Sequence, residues 1–352
     1  MIKKALILVI LFILILTQSI PLVAAQNDGS EWILNDTFEP SASIDAYWTA
    51  ERMARAKPLS MTAGERSKIN DIAGADIQDE SSGELKIYIG SDGESPFSTE
   101  EYKMGGLIDT LVYPPLYTRK VVRWRAYKKT PWKRNGKLFF VQNGKNRVCS
   151  AAVIQKNAII TAGKCLHDGK GSPTTGWSTT IMFVPAFRKG NAPFGKWYCE
   201  TNKLAHSSWV SGGNVEYDIG ACRPTPKAQS IGDMLGWYGL MVNGRKMRVN
   251  SFGWPTGRKF LKGLQYTCIS DPLRPYDAQP GGYKMNGMGC DMTGGYRGGP
   301  WIYKFKQVGG NLVYGINSYK KKVNGKLRTH ITYSPYFSDT YMDPFMTIVS
   351  GW

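Results

Sequence analysis

The sequence predicts an all-β fold of short strands linked by tight turns. Apolar stretches recur from Gly136 onward, and Gly, Pro and Asn separate them. The chain has 352 residues, including 39 Gly, 19 Tyr and 11 Trp, and few long helical periodicities. The pair Asn143-Gly144 lies between two apolar stretches, which is typical of a β-hairpin turn. This density of short strands indicates a sandwich or a barrel.

The predicted strands alternate with turn residues along the chain. They cover residues 138–141, 148–154, 157–161, 179–184, 216–221, 247–254, 264–269, 301–305 and 312–317. One helix is expected before them, at residues 43–56, because Ala46, Ala50 and Met53 would share one face there.

Residues 1–26 have the pattern of a secretory signal peptide. Lys3 and Lys4 form a basic start, residues 5–16 are apolar, and small residues at 23–25 suit cleavage before Gln26. An uncleaved anchor is the alternative, but the apolar run is short for a membrane span, which needs roughly 20 residues. The sequence therefore predicts a secreted, extracellular protein, and no later stretch is expected to span a membrane.

Charged residues divide the remaining chain into two blocks. Residues 27–118 hold 17 Asp and Glu against 7 Lys and Arg, a net charge of −10. Residues 119–352 hold 36 Lys and Arg against 10 Asp and Glu, a net charge of +26. We expect the acidic block to be partly disordered, notably at residues 79–84, which are rich in Ser and carboxylates.

The basic block favours an anionic partner, namely an acidic glycan, nucleic acid or an anionic cell surface. No nucleic-acid-binding motif accompanies the charge, and solubility alone is the simpler interpretation. On the first interpretation, the acidic block covers the basic one until it is removed. Basic runs such as Arg119-Lys120 and Lys128-Lys129 offer cleavage sites for that removal.

Six cysteines occur in a chain that is expected to reach an oxidising compartment. They are Cys149, Cys165, Cys199, Cys222, Cys268 and Cys290. Six cysteines allow 15 complete pairings, and sequence alone does not choose among them. No C-x-x-C pair is present and there are only three His, so neither a metal nor a cofactor is expected. Asn35-Asp36-Thr37 is the single N-glycosylation sequon, which makes Asn35 a candidate glycosylation site.

Several motifs follow one another in a fixed order. They are CSAAVI at 149–154 with ITAGKC at 160–165, YDIGA at 217–221, GCDMTGGYRGGPW at 289–301 and GINSY at 315–319. In this order they resemble the motifs of trypsin-like serine peptidases, in particular the secreted microbial branch that includes glutamyl endopeptidases. Residues 47–53 and 57–59 resemble the propeptides of the same peptidases.

The resemblance covers about residues 133–345 and implies a chymotrypsin-like fold. It implies two packed antiparallel β-barrels, at about residues 135–240 and 241–345, with the working cleft between them. Residues 27–118 would then be a propeptide-like segment before a peptidase-homology domain at 119–352. The resemblance also implies a disulfide between Cys149 and Cys165. We expect the other four cysteines to pair in sequence order, 199 with 222 and 268 with 290.

Cations occupy two of the three catalytic positions that the resemblance implies. Lys164 stands where the family has its general-base His, Arg297 stands where it has the nucleophilic Ser, and Asp218 keeps the orienting carboxylate. Lysine, whose ordinary pKa is near 10.4, needs strong desolvation to act as a base. Lys164 is expected to pair with Asp218, and Arg297 to turn toward solvent, Asp291 or a backbone carbonyl. This degenerate triad predicts a catalytically inactive homologue, with unconventional residual proteolysis as the alternative.

Around these three positions, some residues match those of the family and others do not. Gly295 and Gly298 remain from the oxyanion loop, and Asp291 aligns with the base of the primary specificity pocket. Lys320 stands where the family often has Gly, so it would crowd the edge along which a substrate pairs. His167 is expected to point away from the site. The expected partners are therefore a polyanion on the basic domain or a protein ligand in the cleft.

Overall fold

Two curled, mainly antiparallel β-sheets form the body of the protein in the computed structural model. The residues that the structure describes are 31–59, 85–93, 116–244, 247–270, 278–279, 282–283, 285–307, 309–320, 322–323, 326–327 and 330–352. The predicted signal peptide at 1–26 and the acidic run at 79–84 lie outside these residues. The predicted all-β class is confirmed.

The strands are numbered in chain order. They are β1 (Trp32–Asn35), β2 (Lys57–Pro58), β3 (Lys86–Tyr88), β4 (Tyr117–Val121), β5 (Asn135–Gln142), β6 (Lys145–Gln155), β7 (Ala158–Thr161), β8 (Thr179–Pro185), β9 (Trp197–Tyr198), β10 (Thr201–His206), β11 (Gly220–Arg223), β12 (Gly239–Val242), β13 (Val249–Gly253), β14 (Tyr266–Ser270), β15 (Ala278–Gln279), β16 (Gly282–Tyr283), β17 (Met285–Gly289), β18 (Pro300–Tyr303), β19 (Leu312–Ile316), β20 (Lys322–Val323), β21 (Lys326–Leu327) and β22 (Ile331–Pro335).

A few short helices accompany the strands. They are α1 (Ser41–Tyr47), α2 (Ala50–Arg55), α3 (Ser207–Gly212), α4 (Ile231–Leu235) and α5 (Asp339–Ser350). Within the described residues, none of the helices is both long and apolar enough to cross a membrane.

The first sheet has the strand order β1-β10-β11-β7-β6-β5-β8-β9, and β2 pairs in parallel with β6. Its central hairpin, β5–β6, turns at Asn143 and Gly144. Their φ angles of 51° and 68° are the positive values that a tight hairpin turn requires, and Asn and Gly are the residues that adopt them most readily. The hairpin predicted from this pair is confirmed.

The second sheet has the order β3-β12-β19-β18-β13-β14-β4, with the ladder β17–β22 beside it. Its pairs are antiparallel except for β12 with β19. Apolar side chains of both sheets meet in one core, in which Leu138 and Ile160 of the first sheet join Phe252 and Val313 of the second and Phe345 of α5. The loops at the junction of the two sheets carry the candidate site.

Two predicted elements differ from the structure. Residues 216–221, predicted as one strand, form a 3₁₀ turn at Val215–Tyr217 followed by β11, because the Asn214 side chain accepts the Glu216 N–H and caps the turn. The helix predicted at 43–56 is two helices. Trp48 leaves the helical path to bury its indole, which donates to the Thr180 carbonyl at 2.7 Å, and Thr49 caps α2. The C-terminal helix α5 has no counterpart among the predicted elements.

The N-terminal arm, residues 31–59, is built into the first sheet. Its strand β1 pairs with β10, its helix α1 packs on β8, and β2 pairs with β6. Ile44 and Trp48 of the arm are buried in a cluster with β-strand residues. Asp45 contacts Lys196 Nζ at 2.8 Å and accepts the Tyr198 hydroxyl at 2.7 Å. This part of the acidic block is therefore a structural component of the sheet.

Three disulfides connect the six cysteines in sequence order. Cys149 bonds to Cys165, Cys199 to Cys222, and Cys268 to Cys290. The first links β6 to the turn after β7, the second links the residue after β9 to β11, and the third links β14 to the residue after β17. The sequential pairing is confirmed.

Trp48→Ala should destabilise the whole protein, because it removes a fully buried indole and its hydrogen bond. We expect a loss of about 3–5 kcal/mol in the free energy of unfolding, measured by chemical denaturation. The matched control is Phe38→Ala, since Phe38 lies on the same arm but is 62% exposed. It should change stability by about 0.5 kcal/mol or less. Equal, small effects of the two substitutions would show that the arm is only loosely attached.

Candidate functional site

The three predicted triad positions come together at the junction of the two sheets. Lys164 lies in the 3₁₀ turn Gly163–Cys165 after β7, and Asp218 lies just before β11. The ladder between β7 and β11 pairs Thr161 with Gly220, and this pairing brings Lys164 and Asp218 side by side. Arg297 lies in the loop between β17 and β18, and its carbonyl accepts the Ser150 N–H of β6 at 2.7 Å.

Asp218 is the most completely enclosed charge of the site, with a side-chain exposure of 0% against 5% for Lys164. The Lys164 ammonium lies 3.0 Å from Asp218 Oδ2, so the predicted ion pair is present. Asp218 Oδ1 accepts the Lys164 backbone N–H at 2.8 Å, and Oδ2 also accepts the hydroxyl of Ser318. Ser318 follows β19, so this carboxylate joins the first sheet to the second.

The loop around Arg297 depends on glycine. Gly294, Gly295 and Gly298 have φ angles of 61°, 53° and 77°, a region in which side chains are strained. A Cβ on Gly298 would also lie 2.0 Å from Thr161 Oγ1. Arg297 itself is buried, so of the three orientations expected for its side chain the one toward solvent is wrong, while those toward Asp291 or a backbone carbonyl stay predictions.

Asp291, the predicted base of a specificity pocket, is held by two cations of the chain. Its Oδ2 lies 2.6 Å from Lys259 Nζ and also accepts from the guanidinium of Arg119. Arg119 on β4 pairs opposite Cys268 of β14, and Cys268 is bonded to Cys290, the neighbour of Asp291. Sequence analysis missed both cations, because Arg119 precedes Asp291 by 172 residues and Lys259 precedes it by 32. No local pattern connects them.

Lys320 extends its ammonium into the interior beside Asp291. It is almost fully buried and donates to the carbonyls of Cys290 at 2.6 Å and Ile331 at 3.1 Å. The pKa of Lys320 is lowered to about 7, chiefly by burial; Asp291 opposes this shift, and the nearby Lys259 and Arg297 add to it. The ammonium and its chain fill the space between Cys290 and Ile331, in line with the expected crowding at this position.

The other candidate catalytic groups near the site serve structural contacts. His167 is buried, its Nδ1 accepts the Gly169 N–H at 3.0 Å, and its Nε2 lies 2.7 Å from the Thr175 carbonyl. It is thus turned into its own loop, as expected. Ser150 is also buried, and its hydroxyl donates to the Gly295 carbonyl at 2.9 Å while it accepts the Trp254 N–H at 3.0 Å.

Asn35, the predicted glycosylation site, ends strand β1 and is half-buried. Its register partner on β10 is Lys203. Glycosylation at this residue stays a prediction.

Similarity to solved structures is clear once the fold is described. The protease Anisep from Arthrobacter nicotinovorans is 30% identical with a TM-score of 0.56, over 67% of this chain and 100% of that one. A thermostable serine protease, AL20, from an extremophilic microorganism is 24% identical with a TM-score of 0.51, over 62% and 97% of the two chains. A Glu endopeptidase in complex with MPD shares the fold at 16% identity and a TM-score of 0.51, over 66% and 97%. No protein-family model and no curated protein matches the chain.

Removing one partner of the Lys164–Asp218 pair should cost more stability than removing both charges. Asp218→Asn or Lys164→Met alone leaves a buried charge without its counterion, for which we expect a loss of about 3–5 kcal/mol. The double variant should recover a large part of that loss, so the effects should be far from additive. Denaturant unfolding of the three variants measures this coupling.

Asp45→Asn is the control for this cycle, since it removes a partly exposed ion pair with Lys196. It should cost no more than about 1 kcal/mol. If Asp218→Asn costs as little as Asp45→Asn, or if the two changes at the buried pair simply add, the ion pair does not stabilise the junction as described.

Lys320 should make stability depend on pH. Its pKa is lowered to about 7 in the folded protein and is ordinary in the unfolded chain. Between these two values the unfolded chain binds more protons, so the free energy of unfolding should rise as the pH increases from about 7 to 10. Relative to Lys320→Met, the wild type should gain on the order of a few kcal/mol over this window, measured by melts at fixed pH. Lys156→Met, at an exposed position, should follow the wild-type pH profile, and a Lys320→Met profile parallel to wild type would contradict the assignment.

Proposed function

Because the chain belongs to the chymotrypsin-like serine protease family, we propose that it is a member without peptidase activity that acts by binding a polyanionic partner through its basic domain. The observation that carries the first half of this proposal is the Lys164–Asp218 ion pair, 3.0 Å long and buried. The Lys164 amine is engaged by the Asp218 carboxylate, so it is not placed to take a proton from an attacking nucleophile. General-base catalysis in this family needs an imidazole at this place.

The neighbouring positions support the same conclusion. Arg297 places a guanidinium where an attacking hydroxyl would be needed, and the hydroxyls of Ser150 and Ser318 are buried and engaged in other hydrogen bonds. Lys320 and the pair of cations on Asp291 occupy the region where a side chain of a substrate would enter. Binding of an ordinary basic substrate side chain at Asp291 would have to displace two ion pairs.

The second half of the proposal rests on charge. Residues 119–352 have a net charge of +26, far more than solubility of a small domain requires. Long exposed Lys and Arg side chains attract polyanions by releasing the counterions of the polyanion. The six cysteines, all bonded in disulfides, support action outside the cell, where such ligands are abundant.

The acidic block is proposed to moderate this attraction. Two of its carboxylates already bind cations of the basic domain, Asp45 with Lys196 and Asp92 with Arg134. Since the N-terminal arm is anchored by buried side chains, a cut at the basic runs after residue 118 would leave it attached to the first sheet. On this proposal the acidic block masks the basic domain by offsetting part of its positive charge, and the N-terminal arm stays attached to the first sheet.

Peptide hydrolysis by the purified protein should be indistinguishable from a buffer blank between acid and alkaline pH, because no group acts as nucleophile or base. A serine-directed covalent probe should likewise leave the protein unlabelled. The positive control is an active trypsin-like peptidase in the same assay. The proposal fails if turnover follows the purified protein through chromatography and disappears in the Arg297→Ala variant.

Binding to immobilised heparin should be strong at low salt and should weaken steeply as salt rises. For a ligand held by several phosphate or sulfate contacts, affinity should fall at least about tenfold between 50 and 200 mM salt. The Asp45→Asn/Asp92→Asn variant should elute at higher salt than wild type, because two carboxylates no longer offset the basic domain. Absence of retention at low salt would rule out the polyanion role, and identical elution of the two proteins would rule out the masking.

A further inference from the structure

Three segments that carry Lys and Arg but no Asp or Glu meet on one side of the protein. They are residues 117–134, 187–191 and 257–265, here called the acid-free face. The Val122 N–H donates to the Gln265 carbonyl at 2.9 Å, and the Lys189 N–H donates to the Gly263 carbonyl at 2.9 Å. The guanidinium of Arg188 lies 5.4 Å from the centre of the Tyr127 ring, which closes the contact between the first two segments. The three segments therefore form one continuous surface.

Cations dominate the outer side of this face. Exposed members include Lys120, Arg123, Arg125, Lys128, Lys189 and Lys262. In the described part of the chain, two carboxylates from outside the three segments pair with cations of the segments: the buried Asp291 with Arg119 and Lys259, and Asp92 with Arg134. Among the described residues, the six exposed cations named above form no ion pair.

Large apolar side chains are exposed among these cations. Trp124 is 62% exposed and Leu261 is 63% exposed, and Val121 is also exposed. Val121 pairs opposite Tyr266 in the β4–β14 ladder, and the Tyr266 hydroxyl accepts the Leu261 N–H at 2.9 Å, so a single tyrosine separates Val121 from Leu261. The guanidinium of Arg125 lies 5.0 Å from the Trp124 ring, which places charge and indole together.

We propose that the acid-free face docks on the surface of an anionic lipid bilayer, with its cations on the lipid headgroups and Trp124 and Leu261 inserted between them. The inference rests on the proposed polyanion binding and names its partner. The negative surface potential of an anionic leaflet attracts Lys and Arg, and Trp is favoured at the headgroup level. Exposed Trp and Leu side chains gain free energy by leaving water for the headgroup boundary. A sulfated glycan would engage the cations but would leave these apolar side chains in water.

Vesicle sedimentation tests the proposal on the full chain. Wild type should bind vesicles of phosphatidylcholine mixed with phosphatidylglycerol and should not bind vesicles of phosphatidylcholine alone. Trp124→Ala/Leu261→Ala should reduce the partition coefficient at least about tenfold, because both side chains lose their burial. The same variant should elute from heparin at the wild-type salt concentration. Phe38→Ala, which removes an equally exposed aromatic from the N-terminal arm, should bind vesicles like wild type.

Two further measurements separate insertion from charge. Lys120→Glu/Arg123→Glu should lose both vesicle and heparin binding. Vesicles should shift the tryptophan emission of wild type to shorter wavelength, and Trp124→Phe should abolish most of that shift. Heparin binding without vesicle binding would overturn the membrane inference and leave the proposed function intact. Loss of both kinds of binding in wild type would overturn both, and vesicle binding that is insensitive to Trp124→Ala/Leu261→Ala would overturn the insertion.

Discussion

The buried pair of Lys164 and Asp218 is the constraint on which the junction between the two sheets depends. Two charges removed from water carry a large desolvation cost, and only close mutual contact with further hydrogen bonds offsets it. Asp218 meets this requirement with three donors, two from Lys164 and one from Ser318. Because Ser318 follows β19 of the second sheet, the carboxylate also fixes how the strand ends of the two sheets face each other. The chemistry available in the cleft follows from this arrangement.

Sequence analysis predicted those parts of the fold that are determined by residues close together in the sequence. Asn143-Gly144 specifies a turn with positive φ angles, and the apolar stretches on either side became β5 and β6. Where a distant contact decides the conformation, the prediction was wrong. Trp48 interrupts the predicted helix because its indole reaches Thr180, which no pattern within residues 43–56 indicates. Motif order, in contrast, grouped Lys164, Asp218 and Arg297, and the structure places all three at the junction of the two sheets.

In the candidate site, too, contacts between residues of recognised motifs were predicted, and contacts with residues outside the motifs were not. Pairing of Lys164 with Asp218 could be predicted, since the motifs placed both at known positions. The two cations on Asp291 could not, because Arg119 lies in a strand outside every motif and Lys259 in a loop without a signature. Burial of Arg297 depends on how neighbouring loops pack, which is a property of the whole junction. Composition likewise revealed the basic block but not that its exposed cations surround apolar side chains.

The occupancy of the cleft by Lys164, Arg297 and Lys320 has an evolutionary consequence. A serine introduced at 297 alone would face an ammonium that offers no base, and a histidine introduced at 164 alone would face no hydroxyl. In either case Lys320 would still fill the space between Cys290 and Ile331. Replacing Lys164 alone leaves the buried Asp218 carboxylate without its counterion, so selection against unfolded chains would act before any activity could be rewarded. If the proposed absence of peptidase activity holds, a fitness valley separates this lineage from its catalytic relatives.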